Sequence, residues 1–89
     1  MQLLREAQGA LRGGDASTAL SVLDRHEARF PHGVLSEERQ AAQVVALCEL
    51  GRIAEACERR RAFLATSPRS PQGGRVRAAC AQQCAGVGE

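Results

Sequence analysis

The feature that most constrains this chain is an internal repeat. Residues 14–31 read GDASTALSVLDRHEARFP and residues 51–68 read GRIAEACERRRAFLATSP. Gly14 and Gly51, Ala19 and Ala56, and Pro31 and Pro68 are each 37 residues apart, so three landmarks of different chemistry keep one offset. Each has a physical task. Glycine takes the left-handed conformation that closes a helix C-terminus without steric cost. Alanine sits where two helices come close and a larger side chain would push them apart. Proline holds the residue before it extended and so stops a helix. A chain that lays out these signals twice at one spacing is expected to build one supersecondary unit twice.

The residues between the landmarks read as helices. QLLREAQGALR places Leu3, Leu4, Ala7, Ala10 and Leu11 on one stripe. Gly13-Gly14 closes this first helix, and Asp15 is placed to cap the second, from about Ala16 to Arg29, which turns Ala19, Leu20, Val22 and Leu23 inward. After the FPHG stop, a third helix runs from about Leu35 to Leu50 with Ala41, Val44, Val45 and Cys48 on one face. Gly51 ends it. The fourth covers Ile53 to about Ala65, with Ile53, Ala56, Cys57, Phe63 and Leu64 apolar. Ser70-Pro71 then signals a fifth, from Pro71 to about Gln83, with Val76, Ala79, Cys80 and Gln83 turned inward.

No strand pattern competes with these helices. The chain is 44% hydrophobic, but that material is mostly Ala, Leu, Val and Cys, with two Phe and neither Tyr nor Trp. Small side chains suit closely packed helices and serve a sheet poorly. Eighty-nine residues make one domain, near the small end of what folds unaided. The expected fold class is therefore all-α, a single helical repeat domain over residues 1–84 followed by a flexible tail, 85–89.

Glycine at an inter-helix turn, alanine five residues on and proline twelve beyond that resembles the tetratricopeptide repeat, carried here by GDASTAL…FP and GRIAEAC…SP. The resemblance covers residues 1–84 as two units and the first helix of a third. The period is 37 rather than the usual 34, which leaves about three extra residues near each loop, as in units that resemble those of bacterial envelope proteins. The resemblance implies antiparallel helical hairpins, two repeats plus a C-terminal capping helix, and a binding module rather than an enzyme. It also implies that the first helix of each unit lines a concave face that takes a peptide or partner helix. On that basis the exposed polar residues of the first and third helices, Arg5, Gln8, Arg12, Arg39, Gln40 and Gln43, are the expected contact surface. The sequence departs from the family where large apolar residues are usual: those positions hold Leu3 and Gln40, then Glu6 and Gln43. These first helices are accordingly expected to be shifted in register or weakly packed.

Other chemistry is sparse. Cys48, Cys57 and Cys80 fall on apolar stripes, where unpaired cysteines serve as small core residues. That is the expectation, with Cys84 exposed; one disulfide, or a thiol-held metal or redox module, are the alternatives. No CxxC pair occurs. His26 and His32 lack the glycine elbow, Ser-His-Asp set or phosphate-cradling loop of an active site, so no catalytic residue, cofactor or metal is expected. Arg59-Arg60-Arg61 fans around its helix and reads as a solvated face with Glu55 and Glu58 as pairing partners, the alternative being a patch for an acidic partner.

All twelve basic residues are arginine, the mark of codon bias in a GC-rich, bacterial genome, and net charge is only +2. With no aromatic interleaving, nucleic acid is not an expected partner. No apolar stretch nears the ~20 residues needed to cross a membrane, and MQLLREAQGALRGG is not a signal peptide. The expected location is the cytoplasm as written, or the periplasm if the chain is part of a longer envelope protein. The expected function is protein–protein interaction or scaffolding, with a protein or peptide partner. Self-association of a structural helical unit is the alternative, and would make the partner a second copy.

Overall fold

The computed structural model describes residues 2–85, and those residues form helices and turns without a strand. There are six helices: α1 (Gln2–Arg12), α2 (Ala16–Arg29), α3 (Ser36–Glu49), α4 (Ile53–Thr66), α5 (Gly73–Ala78) and α6 (Ala81–Ala85). The rest of the expected tail, residues 86–89, lies outside the described residues.

The repeat in the sequence is a repeat in the backbone. α1 ends with Gly14 at φ +80, its N–H donating to Leu11 O (3.1 Å) while Asp15 N–H donates to Ala10 O (2.8 Å). α3 ends the same way: Gly51 at φ +77 donates to Cys48 O (3.1 Å), and Arg52 to Leu47 O (3.0 Å). Both are Schellman turns, in which a left-handed glycine lets two successive N–H groups satisfy carbonyls the helix has left open. α2 and α4 then start and stop 37 residues apart. Their last residues before proline, Phe30 and Ser67, adopt φ/ψ of −136/61 and −134/58 and donate to His26 O and Phe63 O. Even the links agree, since Gly33 N–H reaches Phe30 O (3.3 Å) and Ser70 N–H reaches Ser67 O (3.2 Å).

One cap changes chemistry between units. Asp15 accepts from Thr18 N–H at 3.1 Å, and the Thr18 hydroxyl and then this backbone bond hold its carboxyl below the usual range. In the second unit Arg52 stands at the cap and cannot accept, so it donates to Glu55 at 2.7 Å instead. Glu55 is thereby drawn to Arg52 rather than to Arg59, the partner its spacing suggested.

α3 is the centre of the molecule. It packs on α1, α2, α4 and α5, while α5 also touches α4 and α6 touches α4. Ala42 joins Leu4, Ala7, Val22 and Leu23 between α1, α2 and α3. Ala46 and Leu47 meet Ala16, Leu20 and Ala56. Ala41 and Val44 meet Phe63 and Val76. Ala7, Ala19, Ala41, Ala42, Ala46 and Ala56 are wholly buried. Of the two alternatives expected for the first helix of each unit, shifted register or weak packing, weak packing fails for α3, because small residues let its neighbours close in on three sides.

The fifth helix is not continuous. α5 stops at Ala78, Ala79 turns extended (φ/ψ −67/121), and Cys80 takes φ +44 before α6 begins. Ser70 does not cap α5 either; its hydroxyl accepts from Gln72 N–H in the preceding turn (3.1 Å). Gln83 is exposed rather than inward. The cysteines account for the break. Cys48 is bonded to Cys80 (Cα–Cα 5.7 Å) and Cys57 to Cys84 (5.3 Å), leaving no free thiol among the described residues. The expectation of unpaired core thiols is thus corrected, and Cys84 is fully buried rather than exposed. A straight helix would carry residues 80 and 84 along one line. The bend lets the first sulfur meet α3 and the second meet α4.

Candidate functional site

Two grooves flank α3, one on each side. The first lies between α1 and α3 and is lined by Leu4, Arg5, Gln8, Arg12, Leu35 and Glu38, with a volume of about 270 Å³. α1 creates it through helical spacing: Arg5, Gln8 and Arg12 recur at i, i+3 and i+7, so they share a face beside the apolar stripe. Leu4, 5% exposed, and the partly buried Leu35 give the groove an apolar base. Gln8 Oε1 accepts from Arg75 Nη2 at 3.2 Å, a link that ties α1 to α5. Arg5 and Arg12 are exposed and have no hydrogen-bond or ion-pair partner among the described residues. Two guanidinium groups, those of Arg5 and Arg12, line this groove against the single carboxylate of Glu38.

The second groove, about 220 Å³, lies between α2 and α4 and is lined by Glu27, Gln40, Gln43, Arg59, Ala62, Phe63 and Thr66. Gln43 forms its polar centre. Its Nε2 donates to Glu27 Oε1 (3.0 Å) and Asp24 Oδ1 (3.2 Å), and its Oε1 accepts from Arg59 Nη1 (3.4 Å). One buried amide thus joins two carboxylates of α2 to a guanidinium of α4, which satisfies a side chain that would otherwise be costly to bury.

The six residues expected to form one contact surface are therefore divided. Arg5, Gln8 and Arg12 come together on the α1–α3 groove, while Gln40 opens into the other. Arg39 (2% exposed) and Gln43 (1%) are not surface residues at all. The cause is helical phase: residues 39 and 43, one turn apart, turn towards α2 and share the face of the buried Ala42 and Ala46. Leu4, Leu35 and Glu38 complete the first groove, Arg75 is bonded to its Gln8, and none of the four was anticipated. The offset of 37 carried a signal for the last pair, since Glu38 and Arg75 are equivalent positions of successive units.

Arg39 holds the link between the units. Its Nη1 donates to Phe30 O (2.9 Å) and lies 3.5 Å from His26 Nδ1, and its Nη2 donates to Pro31 O (3.5 Å). The guanidinium thus sits at the C-terminal end of α2, where open carbonyls and the helix dipole favour a cation. Burial, and then the charge of Arg39, push His26 below the usual histidine range. A neutral imidazole with Nδ1 free to accept suits this neighbour. His26 also packs on Phe30, ring centroids 5.4 Å apart.

Among the described residues no group of three or more His, Cys, Asp or Glu side chains could hold a metal ion, and no helix is long and apolar enough to cross a membrane. No protein-family model matches the chain, and neither curated proteins nor solved structures yield a significant match.

Proposed function

We propose that this domain is a non-enzymatic interaction module of tetratricopeptide-like hairpins, and that its α1–α3 groove takes an acidic segment of a partner protein. The architectural part draws support from the paired Schellman turns, the helix ends in register at 37 residues, and the way α3 and α5 each pack on both helices of the pair before them. Arg77, Gln82 and Gln83, exposed on α5 and α6, suit the terminal cap that such arrays require.

One observation carries the binding reading: Arg5 and Arg12, cations without a hydrogen-bond or ion-pair partner among the described residues, stand on either side of Gln8 above a leucine base. Seven residues of helix separate them by about 10 Å. A segment in the polyproline II form matches that with carboxylates three residues apart, about 9 Å along one face of its three-residue turn. The two disulfides favour an oxidising compartment, which supports the periplasmic expectation over the cytoplasmic one.

Selection of random peptides on the oxidised domain tests this reading. Binders are expected to be enriched for paired acidic residues at that spacing, and Arg5→Glu with Arg12→Glu is expected to weaken them at least about tenfold by removing two charge-assisted contacts. Binders without acidic residues, or binding unaffected by the double substitution, would contradict it.

Self-association keeps a specific observation of its own. Val34 is fully exposed and Phe30 is 48% exposed, and with His26, Gly33 and Leu35 they line an apolar pit of about 280 Å³ at the α2–α3 link. A concentration-dependent mass that Val34→Asp abolishes would favour this reading.

A further inference from the structure

We infer that Cys48–Cys80 is a thiol-exchange site, open to a small dithiol, and that its cleavage unlatches the segment 73–85 and so exposes the second bridge to reduction. The two bridges differ in access. Cys48 and Cys80 are partly exposed and line an open groove of about 360 Å³ with Glu49, Ala78, Ala81 and Gln82. Cys57 is 1% exposed and Cys84 is wholly buried. Exchange requires a thiolate to reach a sulfur, so the two bridges of one chain offer very different targets.

The backbone is arranged to respond. Among the described residues Cys80 is the one non-glycine residue with positive φ, at +44, a conformation that disfavours a side chain. The equivalent residue 37 positions earlier, Gln43, lies inside an unbroken helix. α5 and α6 contain six and five residues, well short of the length at which an isolated helix persists. Val76 is the one large aliphatic side chain they bury, so the bridges supply much of their attachment. Once Cys80 is released it can return to the helical region. Straightening there turns α5 about the intact Cys57–Cys84 bridge, which still ties residue 84 to α4, uncovers that bridge to solvent, and draws Arg75 from Gln8.

The chemistry is ordinary exchange with a dithiol as the reductant. One of its thiolates attacks a sulfur of Cys48–Cys80; the S–S bond breaks as a mixed disulfide forms, and the displaced cysteine leaves as a thiolate that takes up a proton. The second thiol of the reductant attacks the mixed disulfide, releases the other cysteine as a thiol, and departs as a cyclic disulfide. Two electrons pass from the reductant to the bridge. The second bridge repeats the sequence.

Native oxidised protein treated with dithiothreitol, quenched at intervals by alkylation and mapped by mass spectrometry, tests the order. The expected intermediate is alkylated at Cys48 and Cys80 with Cys57–Cys84 intact. Alkylation of all four cysteines together, or of Cys57 and Cys84 first, would overturn the inference. The unlatching is read separately in Cys48→Ser with Cys80→Ser. Its amides over residues 73–85 are expected to exchange hydrogen at least about tenfold faster than in the oxidised parent chain, since a released segment opens locally. An unchanged rate would overturn that step.

Discussion

At the scale of single residues, the buried polar groups set the pH response and the order of the loops. His26 is held below its ordinary value by burial and by Arg39, so the folded state resists protonating it. The stability this contributes is fully present above the ordinary histidine value near 6.5, and is lost as pH falls through the lowered native value. Urea midpoints are therefore expected to drop between about pH 7.5 and 5, in a window above the main carboxylate titrations. His26→Phe should flatten that slope. The second unit already places Phe63 at the equivalent position, 3% exposed, so the substitution borrows a side chain this architecture accepts. A slope that survives His26→Phe would mean another group carries it. Arg39 and Gln43 mark where single residues resisted reading. Charged and amide side chains are usually exposed, and whether a neighbouring helix offers carbonyls or carboxylates to receive them is a tertiary fact. The repeat nonetheless held a hint: 37 residues on from Arg39 and Gln43 stand Val76 and Cys80, both apolar.

At the scale of elements, turn chemistry was legible and the final helix was not. Gly14 and Gly51 occupy left-handed positions (φ +80 and +77) with nothing within 4 Å of an added Cβ, so they are required by conformation and not by space. Gly51→Ala is expected to lower stability by about 1–2 kcal/mol, the strain of a side chain in the left-handed region. Gly9 lies inside α1, also with open space around it. Gly9→Ala should raise stability by about 0.5–1 kcal/mol through helix propensity. Thermal or urea unfolding of both variants measures the contrast; equal shifts in one direction would contradict the assigned turn. Helix boundaries followed from these signals because caps are local. The break at Ala79–Cys80 is different in kind. Its cause is a pair of sulfurs on α3 and α4, 32 and 27 residues away, and a periodic stripe through Val76, Ala79 and Cys80 carries no trace of it.

At the scale of the whole molecule, two copies of one helical unit share α3 as their centre, and a partial third is fastened on by sulfur. Cores built largely of alanine bury little area per residue, and a chain this short has little hydrophobic surplus. In the chain-entropy account, loops of this length make each bridge worth roughly 3–4 kcal/mol, a large part of the stability expected for a domain of this size. The α1–α3 groove depends on that closure as well, since Gln8 is joined to Arg75 of the fastened segment. The most direct measurement is a disulfide map of the oxidised chain without reduction. Cleavage after arginine yields peptides 40–52, 53–59 and 78–89, which carry Cys48, Cys57 and the pair Cys80 and Cys84. The account predicts one three-peptide cluster whose fragmentation assigns Cys48 to Cys80 and Cys57 to Cys84. Peptides 40–52 and 53–59 bonded to each other, or free thiols throughout, would contradict it.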